Sequence, residues 1–508
     1  MQGKSVPDRE LLDAAALCGH LVPAGSVYAF LAQDRERLFP DELFADLFPS
    51  GRGRPSVPAD VVATVMVLQA LEGLSDRDAV AQLRTNIAWK VATGVSLADE
   101  GFHPTVLTLW RNRLRGSDRP ERIFDAVRVV VTESGVLNGK TRRALDSTVL
   151  DDAVIRQDAI MQLVAQIRRV RRLVSAAKML TLTAHDFDND PGKPSCAWDD
   201  RAAIDALVTA LVHDALVVLD ACDGLELDSQ QQEAVGLLAL VAGQDVEPGD
   251  QDGTWRIAPR TAPDRIVSVI DPESRHVHKT NQNYRDGFKA HIAVEPDTGL
   301  ITACDLTAGN VGDAQAASGL IAGETDRLEI LADSAYGAGG FRALLAEADH
   351  VVHIKPAPLA RPVAGGFTID DFTIDVDRSS VTCPAGITTA ITRSGAATFG
   401  AKCNGCTLRE RCTTNKTGRT LRVHQHHELL AAARAHAHTD EFIENYRRHR
   451  PMVERSIAWL VARGHRKVRY RGIARNRIGL AHRCAAINLR RLINLGLHHD
   501  GTQWMVAT

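Results

Sequence analysis

The sequence predicts an α+β chain: a mixed sheet of about five strands with helices against it, interrupted by a helical insertion and a cysteine-bearing insertion, and preceded by an all-helical N-terminal segment. Three observations carry this. Helical periodicity runs through residues 61–134 and returns over 153–245. Over 288–306 it gives way to two alternating runs across the turn Glu295-Pro-Asp-Thr-Gly299. At 328–337, LEILADSAYG, a compact apolar run stops at Asp333, glycines turn the chain, and a helix-compatible pattern resumes at Phe341.

From the N-terminus, the stretch 51–58, GRGRPSVP, is turn-rich and basic. Val61, Val65, Leu68 and Leu71 then mark a helix that Gly73 ends, and Ser75 caps the next one over 76–83. A third helix, 105–114, carries Arg111, Arg113 and Arg115 on and beyond its polar side. Three short helices with a basic last one fit a helix-turn-helix-like DNA-binding module, with Arg111 and Arg113 as contacts. A small helical bundle with a solvated basic face fits the same periodicity. After a helix at 123–134, RRALDSTVLDDAV from Arg142 reads as a strand bearing Asp146, with Asp151 and Asp152 placed to cap a helix beginning at Ala153.

Residues 153–255 form the helical insertion, with helices over 160–177, 202–219 and 230–241. Strand patterns follow at 265–270, in the hairpin, in the run that ends at Asp333, and at 351–355; Asp313 is the expected N-cap of a helix over 313–322. The second insertion, 356–430, holds Cys383, Cys403, Cys406 and Cys412. The Cys403-Asn-Gly-Cys406 knuckle suits a structural Zn²⁺, and unligated cysteines are the alternative. The last helix, 440–463, starts at Thr439 or Asp440 and stops at Gly464. Phe442, Tyr446, Val453, Ile457 and Leu460 form its buried stripe, with Glu454 on the flank. The predicted division is 1–135, a helical DNA-binding segment; 136–152 with 256–355, a catalytic core; the two insertions; and 431–508, a catalytic helix with a basic tail.

The net charge of −3 hides an uneven distribution: between Arg447 and Arg491 the basic residues are answered by one acid, Glu454, which predicts a cationic surface. The first ten residues carry no signal-peptide pattern, and the apolar run 61–71 is too short to span a bilayer, so a cytoplasmic protein without membrane association is expected. Nine cysteines without a secretory address argue for free thiols or a metal site.

Asp146 and Asp333 on strands and Glu454 on a late helix make the ligand set of a divalent-metal phosphoryl-transfer site. Mg²⁺ (or Mn²⁺) takes oxygen ligands, and two ions about 4 Å apart need carboxylates arriving from different directions. One ion activates water or a 3′-hydroxyl for in-line attack, the other stabilises the leaving oxygen, and nearby arginines hold the phosphate backbone.

RRALDSTVL at 142–150, FKAHIAVEPDTGLITACDLTAGNVGDA at 288–314, ILADSAYG at 330–337 and YRRHRPMVERSIAWL at 446–460 together resemble bacterial insertion-sequence transposases of the DDE superfamily, as does GRPSVPADVVATVMVLQALEGLSDRDAVAQL at 53–83. The resemblance implies an RNase H-like catalytic fold and metal-binding acids at Asp146, Asp333 and Glu454. Tyr446 and Arg450 precede Glu454 as in the family's helix signature, one residue further apart than usual. Val461 stands where a basic residue is expected, a role open to Arg463 or Lys467. The implied activity is metal-dependent strand cleavage and transfer at the ends of an insertion sequence. The implied partners are terminal inverted repeats, target DNA and further copies of the chain. The alternatives are a nuclease of the same fold and a non-catalytic transposase-derived DNA-binding protein.

Overall fold

The computed structural model describes residues 1–5, 12–50, 52–262, 264–280 and 283–507; Gly51, the first residue of the basic turn, lies outside them. Helices lead the chain: α1 (Ala14–Cys18), α2 (Val27–Leu38), α3 (Ala59–Glu72), α4 (Asp76–Thr85), α5 (Ile87–Thr93), α6 (Thr105–Arg115) and α7 (Arg122–Glu133). Their start and stop signals act as local chemistry dictates. Ser75 Oγ accepts the Asp78 N–H at 3.2 Å, and Gly73 closes α3 at φ 74°. A Cβ on Gly73 would stand 2.2 Å from the Arg463 carbonyl oxygen, so only glycine lets these distant parts of the chain meet.

Strand β1 (Arg142–Asp151) follows, and then α8 (Ala159–Leu173), α9 (Ser175–Lys178), α10 (Arg201–Asp220), α11 (Ser229–Gln244) and a ribbon of β2 (Val246–Pro248) and β3 (Trp255–Ile257). This insertion builds its own core from Ile160, Leu163, Ile167, Leu211, Val218 and Leu238. Among the described residues α10 is long and apolar enough to cross a membrane by length and composition; its Val208, Leu211, Val212, Ala215 and Val218 lie in that core.

The sheet is completed by β4 (Arg275–Thr280), β5 (Asn283–Glu295), β6 (Leu300–Ala308), β7 (Glu329–Ala332) and β8 (Val351–Ile354), with α12 (Asp313–Ile321) before β7 and α13 (Gly339–Glu347) before β8. Its order is β6-β5-β1-β7-β8, and β4 pairs the start of β5. β5 runs antiparallel to β1 and β6 antiparallel to β5; β7 is parallel to β1, and β8 to β7.

Alternation along β1 splits the packing between two faces. Ala144, Leu150 and the neighbouring Leu331 enter a core shared with the N-terminal helices and the last two helices. Leu145, Ile330 and Ala332 face the other way, with Leu320, Phe341 and Leu345. The cysteine-bearing insertion, β9 (Thr373–Asp375), β10 (Ser380–Thr382), β11 (Thr388–Ala390), β12 (Ala396–Thr398), α14 (Arg409–Cys412) and β13 (Thr420–Arg422), has a small core of Phe372, Val381, Ala397, Phe399 and Leu421. The chain then forms α15 (His427–His436), α16 (Asp440–Val461), α17 (Ile473–Asn494) and a hairpin of β14 (His498–His499) and β15 (Trp504–Met505).

Several expectations need correction. Residues 265–270 are not a strand. Their backbone is bonded instead by glutamine side chains: Gln244 Oε1 accepts the Ile266 N–H, Gln157 Oε1 accepts that of Val269, and Gln162 Nε2 donates to the Ile266 carbonyl. No helix starts at Ala153. Asp151 pairs with Arg285 and Asp152 accepts the Ser274 hydroxyl at 2.7 Å, while Asp158 caps α8. The first insertion helix stops at Leu173, where extended Val174 breaks it and the Arg171 guanidinium binds the Ala177 and Leu180 carbonyls. Gly312, not Asp313, caps α12. α16 ends at Val461, because Arg463 and Gly464 take positive φ. The basic tail holds α17, whose Ile478, Ala481, Cys484, Ala485, Leu489 and Leu492 are core residues.

Candidate active site

Asp146 and Asp333 come together through the parallel register of β1 and β7. Arg142, Arg143 and Ala144 pair with Glu329, Ile330 and Leu331, and two more residues of that register set Asp333 abreast of Asp146. Adjacent parallel strands lie about 4.8 Å apart and lateral neighbours share a face. Both acids therefore sit on the face of Ala144 and Leu331, against which α16 packs Val453 and Leu460. Asp333 ends its strand and also caps the turn beyond it, Oδ1 accepting the Ala335 N–H at 3.0 Å.

The third element reaches the first through an arginine. Arg450 Nη2 stands 3.1 Å from Asp146 Oδ2, and both side chains are largely buried, 5% and 15% exposed. The other Asp146 oxygen accepts the Ser147 N–H at 2.8 Å. Burial raises the Asp146 pKa, the Arg450 charge opposes the rise, and the nearby Asp333 charge adds to it. Burial alone would lower the Arg450 pKa, but the charges of Asp146, Tyr446 and Asp333 prevail and raise it. Burial raises the Tyr446 pKa as well, helped by the charges of Asp333 and Glu454. The Tyr446 ring carries Lys355 Nζ 4.4 Å from its centre and stacks on Phe442 at 5.7 Å. Glu454, one turn beyond Arg450, is exposed and makes no hydrogen bond or ion pair among the described residues.

Asp146 and Asp333 thus feel one another's charge, and Asp333 and Glu454 both act on Tyr446. Among the described residues, however, no three Asp, Glu, His or Cys side chains are gathered closely enough to hold a metal ion. The donor chemistry still suits a hard cation, since every candidate atom is a carboxylate oxygen. The Arg450 guanidinium occupies the place of a positive charge against Asp146.

The other candidate residues divide by exposure. Arg111 is committed inside the fold, its guanidinium paired with Asp76 and 5.0 Å from the Tyr470 ring centre. Arg113 is exposed and lies over Phe48 at 4.6 Å. Arg463 and Lys467 are exposed on the loop after α16. Buried Arg483 joins the ends of α3 and α16, donating to the carbonyls of Ala70 at 2.6 Å and Leu71 at 2.9 Å, and to those of Trp459 and Leu460. Cys383, Cys403, Cys406 and Cys412 line one cavity in the second insertion, where the Arg419 N–H points to Cys403 Sγ at 3.4 Å.

Two family models match the sequence: a transposase DDE domain over 382–493 and a transposase domain, DUF772, over 20–113. Both matches are to transposase domains, which is consistent with a DDE transposase of an insertion sequence. The first match takes in the four insertion cysteines and the Tyr446–Glu454 part of α16, and the second takes in α2 to α5 and most of α6. No curated protein and no solved structure matches the chain. One group behind the candidate site escaped sequence reasoning: Ser147, Lys289, His291, Asp313 and Tyr336, on the reverse face of the sheet. Its members lie in three separate motif segments, and only the fold brings them together.

Proposed function

We propose that this transposase cuts DNA at the ends of an insertion sequence and joins the cut ends to target DNA. Asp146, Asp333 and Glu454 act as ligands of Mg²⁺ or Mn²⁺ on an RNase H-like core. The observation that carries the reading is the meeting of two strand-borne carboxylates with α16: register sets Asp333 beside Asp146, and Arg450 bonds Asp146 one turn before Glu454. The strand order, with β5 and β6 antiparallel to β1 and β7 and β8 parallel, supports the fold.

When bound, a divalent cation supplies Lewis-acid activation of the attacking oxygen and charge for the leaving one. The protein's own groups do the rest. Asp146 and Asp333 supply oxygens fixed by the sheet, and Glu454 supplies one from a helix. Arg450, drawn from Asp146 by a phosphate, clamps the scissile strand. Tyr446 flanks that phosphate, and Arg113, Arg463 and Lys467 hold the duplex beyond it. A structural Zn²⁺ on the four insertion cysteines belongs to the same reading: they line one cavity and offer thiolate donors, and they would have to draw closer together to hold the ion. So do cytoplasmic action and assembly of at least two copies to pair two DNA ends.

The test incubates the full chain with Mg²⁺, labelled terminal inverted repeats and a target plasmid. Joined product is expected. Hydrolysis without joining would leave a nuclease, and cleavage undiminished in Asp333→Ala would remove the site assignment.

A further inference from the structure

The reverse face of the sheet, behind the two aspartates, carries a buried polar group in an otherwise apolar layer. Ser147, the residue after Asp146, points there by strand alternation, beside His291 in the β1–β5 register, with Lys289 two residues along. All three converge on Asp313, the first residue of α12. Ser147 Oγ donates to Asp313 Oδ1 at 3.0 Å. Lys289 Nζ stands 3.0 Å from the same oxygen and donates to the Val311 carbonyl at 2.8 Å. His291 Nδ1 is 3.9 Å away, and its Nε2 shares a hydrogen bond with Thr307 Oγ1 at 2.9 Å. The fourth side is Tyr336, from the turn that Asp333 caps. It is 1% exposed, and its Oη has no hydrogen bond among the described residues.

The carboxylate of Asp313 is held from several sides. Its side chain is only 13% exposed, yet Lys289 offsets its charge and the α12 N-terminus favours an anion. The His291 pKa falls to about 4 through burial, so this imidazole is neutral near pH 7. Asp313 is therefore an immobile acceptor, bonded directly to the residue after one candidate ligand and packed near the turn that the other begins.

We propose that Asp313 is a positioning residue. From behind the sheet it fixes β1 at Ser147 and β5 at Lys289, and so holds Asp146 in its place beside Asp333. The proposal rests on the reading of those two aspartates as metal ligands. Partners that orient metal ligands without touching the ion typically govern about 10- to 100-fold of metal affinity. Asp313→Ala releases Ser147 Oγ and Lys289 together. Asp313→Asn keeps an acceptor for Ser147 but loses the pairing with Lys289.

The test measures Mn²⁺ binding to the full chain from the paramagnetic signal of the free ion, alongside thermal unfolding. Asp313→Ala is expected to raise the Mn²⁺ Kd about tenfold or more, with Asp313→Asn in between. Ser147→Ala, which disturbs little else, is expected to reproduce much of the loss. Leu320→Ala weakens α12 away from this group and is expected to lower Tm while leaving the Kd unchanged. An unchanged Kd in both Asp313→Ala and Ser147→Ala would overturn the proposal, and so would an equal rise in Leu320→Ala. Asp146→Asn and Asp333→Asn separate the two layers of inference. If both leave Mn²⁺ binding intact, the underlying reading fails and the proposal falls with it; if they abolish binding while Asp313→Ala does not affect it, only the proposal fails.

Discussion

Arg450 sets up a direct competition between an internal cation and a bound one, and Arg450→Ala tests it. At 3.1 Å between Nη2 and Asp146 Oδ2, the Coulomb energy is about 5 kcal/mol at an effective dielectric constant of roughly 20. Removing one member of a buried pair typically costs about 3–5 kcal/mol, since the remaining charge is left without a partner. At roughly 2–4 °C per kcal/mol for a unit of this core's size, the variant should melt about ten degrees lower in metal-free buffer. Mn²⁺ should then do more for the variant than for the wild type. A ligand at 100 times its Kd stabilises by about 2.7 kcal/mol, and in the wild type part of that gain is spent displacing Arg450. The assay is differential scanning fluorimetry across a Mn²⁺ series, with a DNA-cleavage assay on the same samples. The variant should show the larger Mn²⁺-induced rise in Tm and the lower cleavage, because the phosphate clamp is gone. Equal Mn²⁺ shifts in the two proteins would refute the competition. Normal cleavage by the variant would refute the clamp.

Four further outcomes follow from the same geometry. Glu454→Gln should leave Tm unchanged within about 0.5 kcal/mol, because the side chain is exposed and unbonded, yet reduce cleavage by orders of magnitude; a matching loss of stability would make Glu454 structural. Arg483→Ala should destabilise by about 3 kcal/mol or more in urea unfolding, since it strips bonds from the ends of two helices at once. Burial lowers the pKa values of His465 and His482 to about 3, whereas in the unfolded chain both ionise near 6.5. Their contribution is thus complete above about pH 6.5 and lost as pH falls towards 3, with a slope of up to roughly 2.7 kcal/mol per pH unit for the pair; a flat Tm between pH 6.5 and 5 would contradict this. Elemental analysis of the purified chain should return zinc that Cys403→Ser and Cys406→Ser lose, and a zinc-free, fully stable wild type would leave the cysteines unligated.

What the sequence made legible was set by local rules. The strand that stops at Asp333, the hairpin over 288–306 and the cap at Ser75 each follow from a few neighbouring residues, and each appears in the fold. Of the three candidate acids only Asp333 ends a short apolar run; Asp146 lies inside its strand and Glu454 on a helix, so the set was singled out mainly by the resemblance of the surrounding motifs. Helix α17 was not. Arg475, Arg477, Arg483, Arg490 and Arg491 interrupt its apolar pattern, and an arginine counts as surface until its partners are known. Arg483 and Arg491 are held by carbonyl oxygens, of Ala70 and Thr298 among others, that lie hundreds of residues away in the chain.

The same blindness explains why a cationic stretch was expected to be a surface. Arg450 and Arg483 are 4% and 5% exposed, one neutralised by Asp146 and the other spread over four helix-end carbonyls. Subtracting such residues leaves Arg447, Arg448, Arg455, Arg463, Lys467, Arg469, Arg471 and Arg475 as exposed cations between Arg447 and Arg477. The exposed charge, which under the proposed function faces DNA, is therefore smaller than the sequence total, and it is concentrated along α16 and the loop after it. The buried share fixes where that face lies, because Arg450 ties α16 to the central strand and Arg483 ties its far end to α3. If so, replacing an exposed member such as Lys467 should weaken DNA binding about equally on all sequences and lower its salt dependence by roughly one counterion, while replacing Arg483 should act through stability. A filter-binding series over salt concentration distinguishes the two: an unchanged salt slope in Lys467→Ala would remove that residue from the DNA-facing set.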